Sequence, residues 1–298
     1  MRLYKKAAAV LLAAAMAVSM MTACGGGAGG GSGVVSGVTY TSNAAAVEGI
    51  DANSIENETL LTKADSKYMQ FLAKYQTEDK LYQRTEMTGY GTSAGQTATM
   101  IEAKNGNFVY TEVTYQGQTR KSLTEIDGNT MCYYTLLEES GKKAAIKQKS
   151  THSGTTSPEG GTSGTPSTSN ATSATVKVDG TVYYAEMSRG EQGSTTICFK
   201  PDSPVPTYVF EDEGDGNKTT IVYKEVCFGN DKGVCDGVLI GYDVYTLEDI
   251  NMTTGTATLT DEKGGKYTAQ YTASGWTVTK DGQDVTSDFQ WIINKMFS

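Results

Sequence analysis

Phe108-Val109-Tyr110-Thr111-Glu112-Val113-Thr114-Tyr115, followed by Gly117, decides the fold class of this chain. Most of these residues are β-branched or aromatic, the composition of a pleated, half-buried strand with a turn behind it. Asp127-Gly128-Asn129 is a hairpin signal ahead of Met131–Leu137. Outward from there the pattern repeats. Lys142–Lys149, Thr181–Met187, Thr195–Lys200, Thr207–Phe210 and Thr219–Phe228 read as strands, as do Cys235–Thr246, Thr256–Thr260, Lys266–Thr272 and Trp276–Thr279. Gly214-Asp215-Gly216-Asn217, Gly229–Gly233, Lys263-Gly264-Gly265 and Asp281-Gly282 punctuate them. Connections this short imply antiparallel pairing, because parallel strands need long crossovers. A helix stands at each end. Tyr68, Phe71, Leu72 and Tyr75 form one apolar stripe behind the capping-box-like Thr62-Lys63-Ala64-Asp65. Phe289, Ile292, Ile293, Met296 and Phe297 repeat the spacing after Thr286-Ser287-Asp288. The chain therefore reads as mainly β, in the α+β class: a large antiparallel sheet with an N-terminal and a C-terminal helix.

At 298 residues with 38% hydrophobic content, the chain can bury a core of one large β domain or two smaller ones. Its 25 basic residues against 34 acidic ones give −9, which argues against nucleic acid as a partner. The single histidine, His152, lies in a Ser/Thr/Gly stretch. Ser-His-Asp and Cys-His nucleophile systems, HExxH zinc sites and facial-triad iron are excluded with it.

Residues 1–23 read as a signal peptide. Arg2, Lys5 and Lys6 supply the positive region, and Ala7 to Val18 is a run of twelve apolar residues. A membrane-spanning helix needs about 20, so the run fits a signal core. Met21-Thr22-Ala23-Cys24 then precedes Gly25-Gly26-Gly27 and resembles the lipobox of bacterial lipoproteins, with Met21 where Leu is usual. That resemblance implies that Cys24 is diacylated and becomes the N-terminus, anchoring an exported protein to the outer face of the cell membrane. Removing the signal leaves 22 basic residues against 34 acidic ones, or −12. Adsorption to an anionic leaflet is disfavoured at that charge, so the lipid must be the anchor. Residues 24–58 are rich in Gly, Ala and Ser and read as a flexible tether. A second low-complexity segment, 150–175, is mostly Ser, Thr, Gly and Pro. It reads as a disordered loop interrupting a β domain of residues 59–298, with an interdomain linker as the other reading.

A helix leading into a long antiparallel meander resembles the lipoprotein-carrier (LolA-type) half-barrel family. The segments behind the resemblance are Glu125–Tyr134 and Tyr183-Tyr184-Ala185-Glu186-Met187, then Thr196-Ile197-Cys198-Phe199 and Pro206-Thr207-Tyr208-Val209. The likeness spans about Leu60 to Cys235 as a pattern of strands. The carrier's Arg/Pro-rich signature has no counterpart, so carrier activity is not transferred. What the family implies is a curved sheet, or half-barrel, with helices over one face and an apolar or lipid-like ligand beneath them. A filled core serving protein–protein interaction in the cell envelope is the alternative.

Chemistry is sparsely marked. Glu211-Asp212-Glu213-Gly214-Asp215-Gly216-Asn217 is the densest acidic run, but counting from Glu213 the EF-hand glycine position holds Lys218. A solvated hairpin turn accounts for it. Glu138-Glu139 and Glu125/Asp127 flank turns, and nothing marks a catalytic pair. The Gly-rich run at 25–37 lacks the lysine of a phosphate loop. Eighteen tyrosines suit either a ligand face or amphipathic strand packing. No catalytic residue, metal ligand or cofactor is read from the chain, and a non-enzymatic protein is expected.

With Cys24 lipidated, Cys132, Cys198, Cys227 and Cys235 remain. If Gly229–Gly233 is a hairpin loop, Cys227 lies opposite Cys235 and a disulfide is expected in an oxidising compartment. Closing so short a loop is worth about 2.5 kcal/mol on the chain-entropy model. Buried free thiols are the competing reading. Cys132 and Cys198 sit mid-strand and are expected free.

Overall fold

Alternating strands need a neighbour on each side, and tight turns supply one at most steps. The computed structural model describes residue 50 and residues 54–90, 95–151, 171–190, 193–212, 218–251, 253–273 and 275–297. Strand β1 (Glu56–Leu60) is followed by helix α1 (Lys67–Thr77). A first meander comprises β2 (Lys80–Tyr90), β3 (Thr97–Asn105), β4 (Phe108–Tyr115), β5 (Gln118–Asp127), β6 (Thr130–Glu139) and β7 (Lys142–Thr151). A second holds β8 (Ala171–Val178), β9 (Thr181–Gly190), β10 (Gly193–Phe199), β11 (Pro206–Asp212) and β12 (Lys218–Phe228). The third is β13 (Asp243–Asn251), β14 (Thr256–Asp261), β15 (Lys266–Thr272), β16 (Gly275–Lys280) and β17 (Gln283–Asp284), closed by helix α2 (Thr286–Phe297). Two-residue turns set the register where both loop residues can take positive φ, as in Gln116-Gly117 (51° and 77°) and Asp179-Gly180 (49° and 77°).

All seventeen strands join one open, curved sheet. Two pairings between strands distant in sequence weld the meanders: β12 runs antiparallel to β2, and β7 runs parallel to β13. The spatial order is thus β1-β8-β9-β10-β11-β12-β2-β3-β4-β5-β6-β7-β13-β14-β15-β16-β17. The mainly β class with a helix near each end is what the sequence predicts. Wholly antiparallel pairing is corrected at β7–β13, two strands separated in sequence by the entire second meander.

Other expectations also change. The tether ends earlier than residue 58: Ile50 bridges to Val178, Ser54 is buried, and Glu56–Leu60 pairs with β8, covering an edge that would otherwise be bare. The 150–175 segment is shorter, because strands run to Thr151 and resume at Ala171. Its ends are also not neighbours: β7 and β8 stand ten places apart in the sheet. Helix α1 is capped by Ser66, whose hydroxyl accepts from Met69 N, while Thr62 and Asp65 close a turn just before it. The signal peptide, Cys24, residues 24–49 and residues 152–170 lie outside the described residues.

Opposed residues of neighbouring antiparallel strands share a face, so register assigns each side of the sheet. Tyr82, Ala103, Tyr110, Leu123 and Tyr134 stand in line across β2–β6 on one face. Residues 229–242, which carry the chain from β12 to β13, cross that face and pack Val234, Cys235, Val238, Leu239 and Tyr242 onto it. Both helices lie on the other face. Phe71 of α1 meets Tyr223 edge-on at 5.9 Å and Phe228 at 6.0 Å, while Phe289 of α2 packs on Tyr245 and Tyr267 at 5.1 and 4.8 Å.

Candidate functional site

Helix α1 is tied to the sheet at its N-terminus by one buried carboxylate. Glu186 of β9 accepts from Ser66 Oγ (2.6 Å), Lys67 N (2.5 Å) and Tyr68 N (3.2 Å). Free N–H groups and the positive end of the helix dipole make that position favourable for an anion. Lys67 anchors the same end by donating to Pro201 O and resting 5.2 Å from the Tyr184 ring centroid. At the other end Lys104 Nζ donates to Gln76 O at 3.1 Å. Helix α2 buries Phe289, Ile292 and Ile293 against Leu137, Ala144, Ile146, Leu259, Tyr267 and Val278.

Between the helices the face is floored by β3, β4 and β5. The apolar cluster beneath α1 draws on β9–β12, and that beneath α2 on β6, β7 and β13–β16; neither takes a residue from β4 or β5. Register places Thr85 opposite Met100 and Met100 opposite Val113, with Gln83, Glu102, Thr111 and Ser122 forming the next row. Met87, Met100 and Val113 are half-buried. Gln83, Thr85, Glu102 and Thr124 are buried. These polar residues stand beside the three half-buried apolar ones, while Tyr82, Ala103, Tyr110, Leu123 and Tyr134 go to the opposite face, where the 229–242 crossing packs on them.

Glu102 is only 3% exposed, and burial pushes its carboxyl up to about 8 against an opposing pull from Lys104. It has neither a hydrogen bond nor an ion pair to another described residue. Thr85 is 2% exposed and its Oγ1 has no partner. Tyr133, further along this face, has its phenol raised by burial, with Ser122, Thr135 and Arg120 pulling it down.

The cysteines sit on the other side of the sheet. Cys227 and Cys235 are free, and so are Cys132 and Cys198. The expected Cys227–Cys235 bond is corrected because its hairpin does not form: Cys227 faces Tyr82 of β2, and residues 229–242 turn away across the sheet. The Cys235 thiol donates to Ala103 O at 3.4 Å, and burial pushes it up to about 11. Beside it lies an open depression of about 500 Å³ lined by Asn105, Gly106, Asn107, Phe108, Asp236 and Gly237. The acidic groups singled out in the sequence are structural where described. Glu138 takes Tyr242 OH (2.5 Å) and Lys121 Nζ (2.9 Å), Glu125 takes Tyr134 OH, and Asp212 pairs with Lys218. Residues 213–217 of the acidic run lie outside the described residues. Many tyrosines serve packing, among them Tyr82, Tyr110, Tyr134, Tyr183 and Tyr267.

The sequence alone does not mark Glu102 and Thr85, because Lys80–Tyr90 and Thr97–Asn105 do not read as strands. Lys, Glu, Ala and Gly dilute the β-branched signal there. The usable sign was Ala98-Met100-Glu102-Lys104 alternating with Thr99-Ile101-Ala103, a carboxylate in a row with a methionine.

Among the described residues no group of three or more His, Cys, Asp or Glu could hold a metal ion, and no helix is long and apolar enough to cross a membrane. No protein-family model matches the sequence, and comparison with curated proteins finds no relative. Among solved structures, a DUF1329 family protein from Desulfovibrio piger is similar at TM-score 0.26 and 12% identity, covering 58% of this chain and 96% of that one. The MucA/MucB complex of Pseudomonas aeruginosa is similar at TM-score 0.25 and 10% identity, covering 67% and 78%. Likenesses this slight carry no functional argument.

Proposed function

We propose that this chain is an exported protein held at the outer face of the bacterial cell membrane by a diacylated Cys24, and that it is non-enzymatic and binds an apolar or lipid-like ligand on its helix-bearing face. The order of signal, lipobox-like tetrapeptide, cysteine and glycine tether supports the anchoring. One observation carries the binding. The interhelical floor belongs to neither helix cluster, yet it presents half-buried Met87, Met100 and Val113 beside buried polar groups. A ligand lying there meets an apolar wall and a polar foot, so it carries a polar head on its apolar chain. Protein–protein interaction in the cell envelope through a filled core, the alternative left open by the sequence, is the second reading.

Two measurements test this. Cys24→Ser is expected to release the protein into the medium or to leave unprocessed precursor; processing and membrane retention like wild type would refute the anchor. Native mass spectrometry of the mature protein is expected to find a co-purifying amphiphile, and an empty protein that also binds none when offered would leave the interaction reading.

A further inference from the structure

We infer that the floor between the helices is a head-group site in which Glu102 and Thr85 receive a protonated amine, so that the ligand is an amphiphilic cation. This rests on the ligand-binding reading above.

The other buried acids of the chain set the standard. Glu186 takes three hydrogen bonds. Asp231, equally buried, accepts from Asn105 Nδ2 (3.3 Å) and Cys235 N (3.4 Å) and lies 3.9 Å from Lys80 Nζ. Buried carboxyls elsewhere in this fold are thus matched, as folding energetics require. Glu102 departs from that rule. It lies as deep as Asp231 and has no hydrogen-bond donor among the described residues, and Lys104, the cation whose charge acts on it, donates to the end of α1 instead. One row along the sheet, diagonally across β2 and β3, Thr85 holds a buried hydroxyl oxygen without a partner among the described residues. Two acceptor oxygens in adjacent positions match the three donors of an ammonium group. An anionic head would meet a carboxyl and a chain of net charge −12. A hydroxyl head would satisfy one oxygen of the neutral acid and gain nothing more, whereas an ammonium head supplies the counter-charge that lets Glu102 ionise in place. Beside the pair, Met87 and Met100 offer unbranched, adaptable side chains that can repack around an alkyl tail.

The test uses calorimetric titration of the full mature chain, carrying Cys24→Ser, with octylammonium, octanol and octanoate below their micelle concentrations. Octylammonium is expected to bind about tenfold or more tighter than octanol, with octanoate weakest. Glu102→Gln should abolish the preference for the amine over octanol. Thr85→Val should reduce the amine's advantage severalfold, and it keeps the test decisive if Glu102→Gln does not fold. Equal binding of all three probes, unaltered in both variants, overturns the head-group assignment and leaves the ligand-binding reading standing. Preference for octanoate also overturns the assignment. If no probe binds, both fall.

Discussion

Replacing Glu102 by Gln should flatten the pH dependence of stability in a defined window. In the native protein this carboxyl stays protonated up to about 8, because burial disfavours its charged form, whereas an ordinary glutamate ionises near 4.5. Below about 4.5 the group is neutral whether the chain is folded or not, and it adds no pH dependence. Between 4.5 and 8 the unfolded chain has lost the proton and the native one has not. Each pH unit in that interval removes roughly 1.4 kcal/mol of stability, and above about 8 the loss levels off at about 5 kcal/mol. At pH 7 it is already about 3 kcal/mol, a large share of the stability of an ordinary domain. Lys104 is the cation that opposes this trend. Glutamine keeps the shape and one acceptor but cannot ionise, so the variant should match wild type at pH 4.5 and exceed it progressively toward pH 8.5. Urea unfolding at four pH values measures both proteins, and taking their difference cancels every other titrating group. Parallel curves, with the variant no more stable at pH 8.5 than at pH 4.5, would refute the burial argument.

Glu186→Ala should cost about 3–5 kcal/mol, read as a lowered urea midpoint, since three donors at the start of α1 lose their buried acceptor; an unchanged midpoint would mean that the helix docks by its apolar stripe alone. Shortening residues 152–170 to six should abolish cooperative unfolding. Six residues reach roughly 20 Å, whereas β7 and β8 lie ten spacings of about 4.8 Å apart along the sheet. A melting temperature like that of wild type would show that curvature brings those strands together. Alkylation of the native protein should label Cys227 first, with Cys132, Cys198 and Cys235 reacting only on unfolding, as their burial dictates. Recovery of a Cys227–Cys235 peptide from the exported protein would contradict that order.

Local sequence determined much of this molecule. Period-two alternation with tight turns dictated strands over most of 108–149 and 181–279, because the pleat places every second side chain on one face. The stripes Tyr68–Tyr75 and Phe289–Phe297 dictated helices with one buried side, and each is built around Phe71 or Phe289 as read. What residue patterns could not contain was partner choice between meanders. Backbone hydrogen bonds are the same for every strand, so nothing local told β12 to seek β2, or β7 to accept β13 in parallel. That choice decided where 229–242 would travel, and with it the failure of the Cys227–Cys235 hairpin. It also decided the site. Glu102 becomes a buried acid only because β2 and β4 close on either side of β3. Alternation is written along one strand, but desolvation is a property of the neighbours, and the neighbours exist only in the assembled sheet.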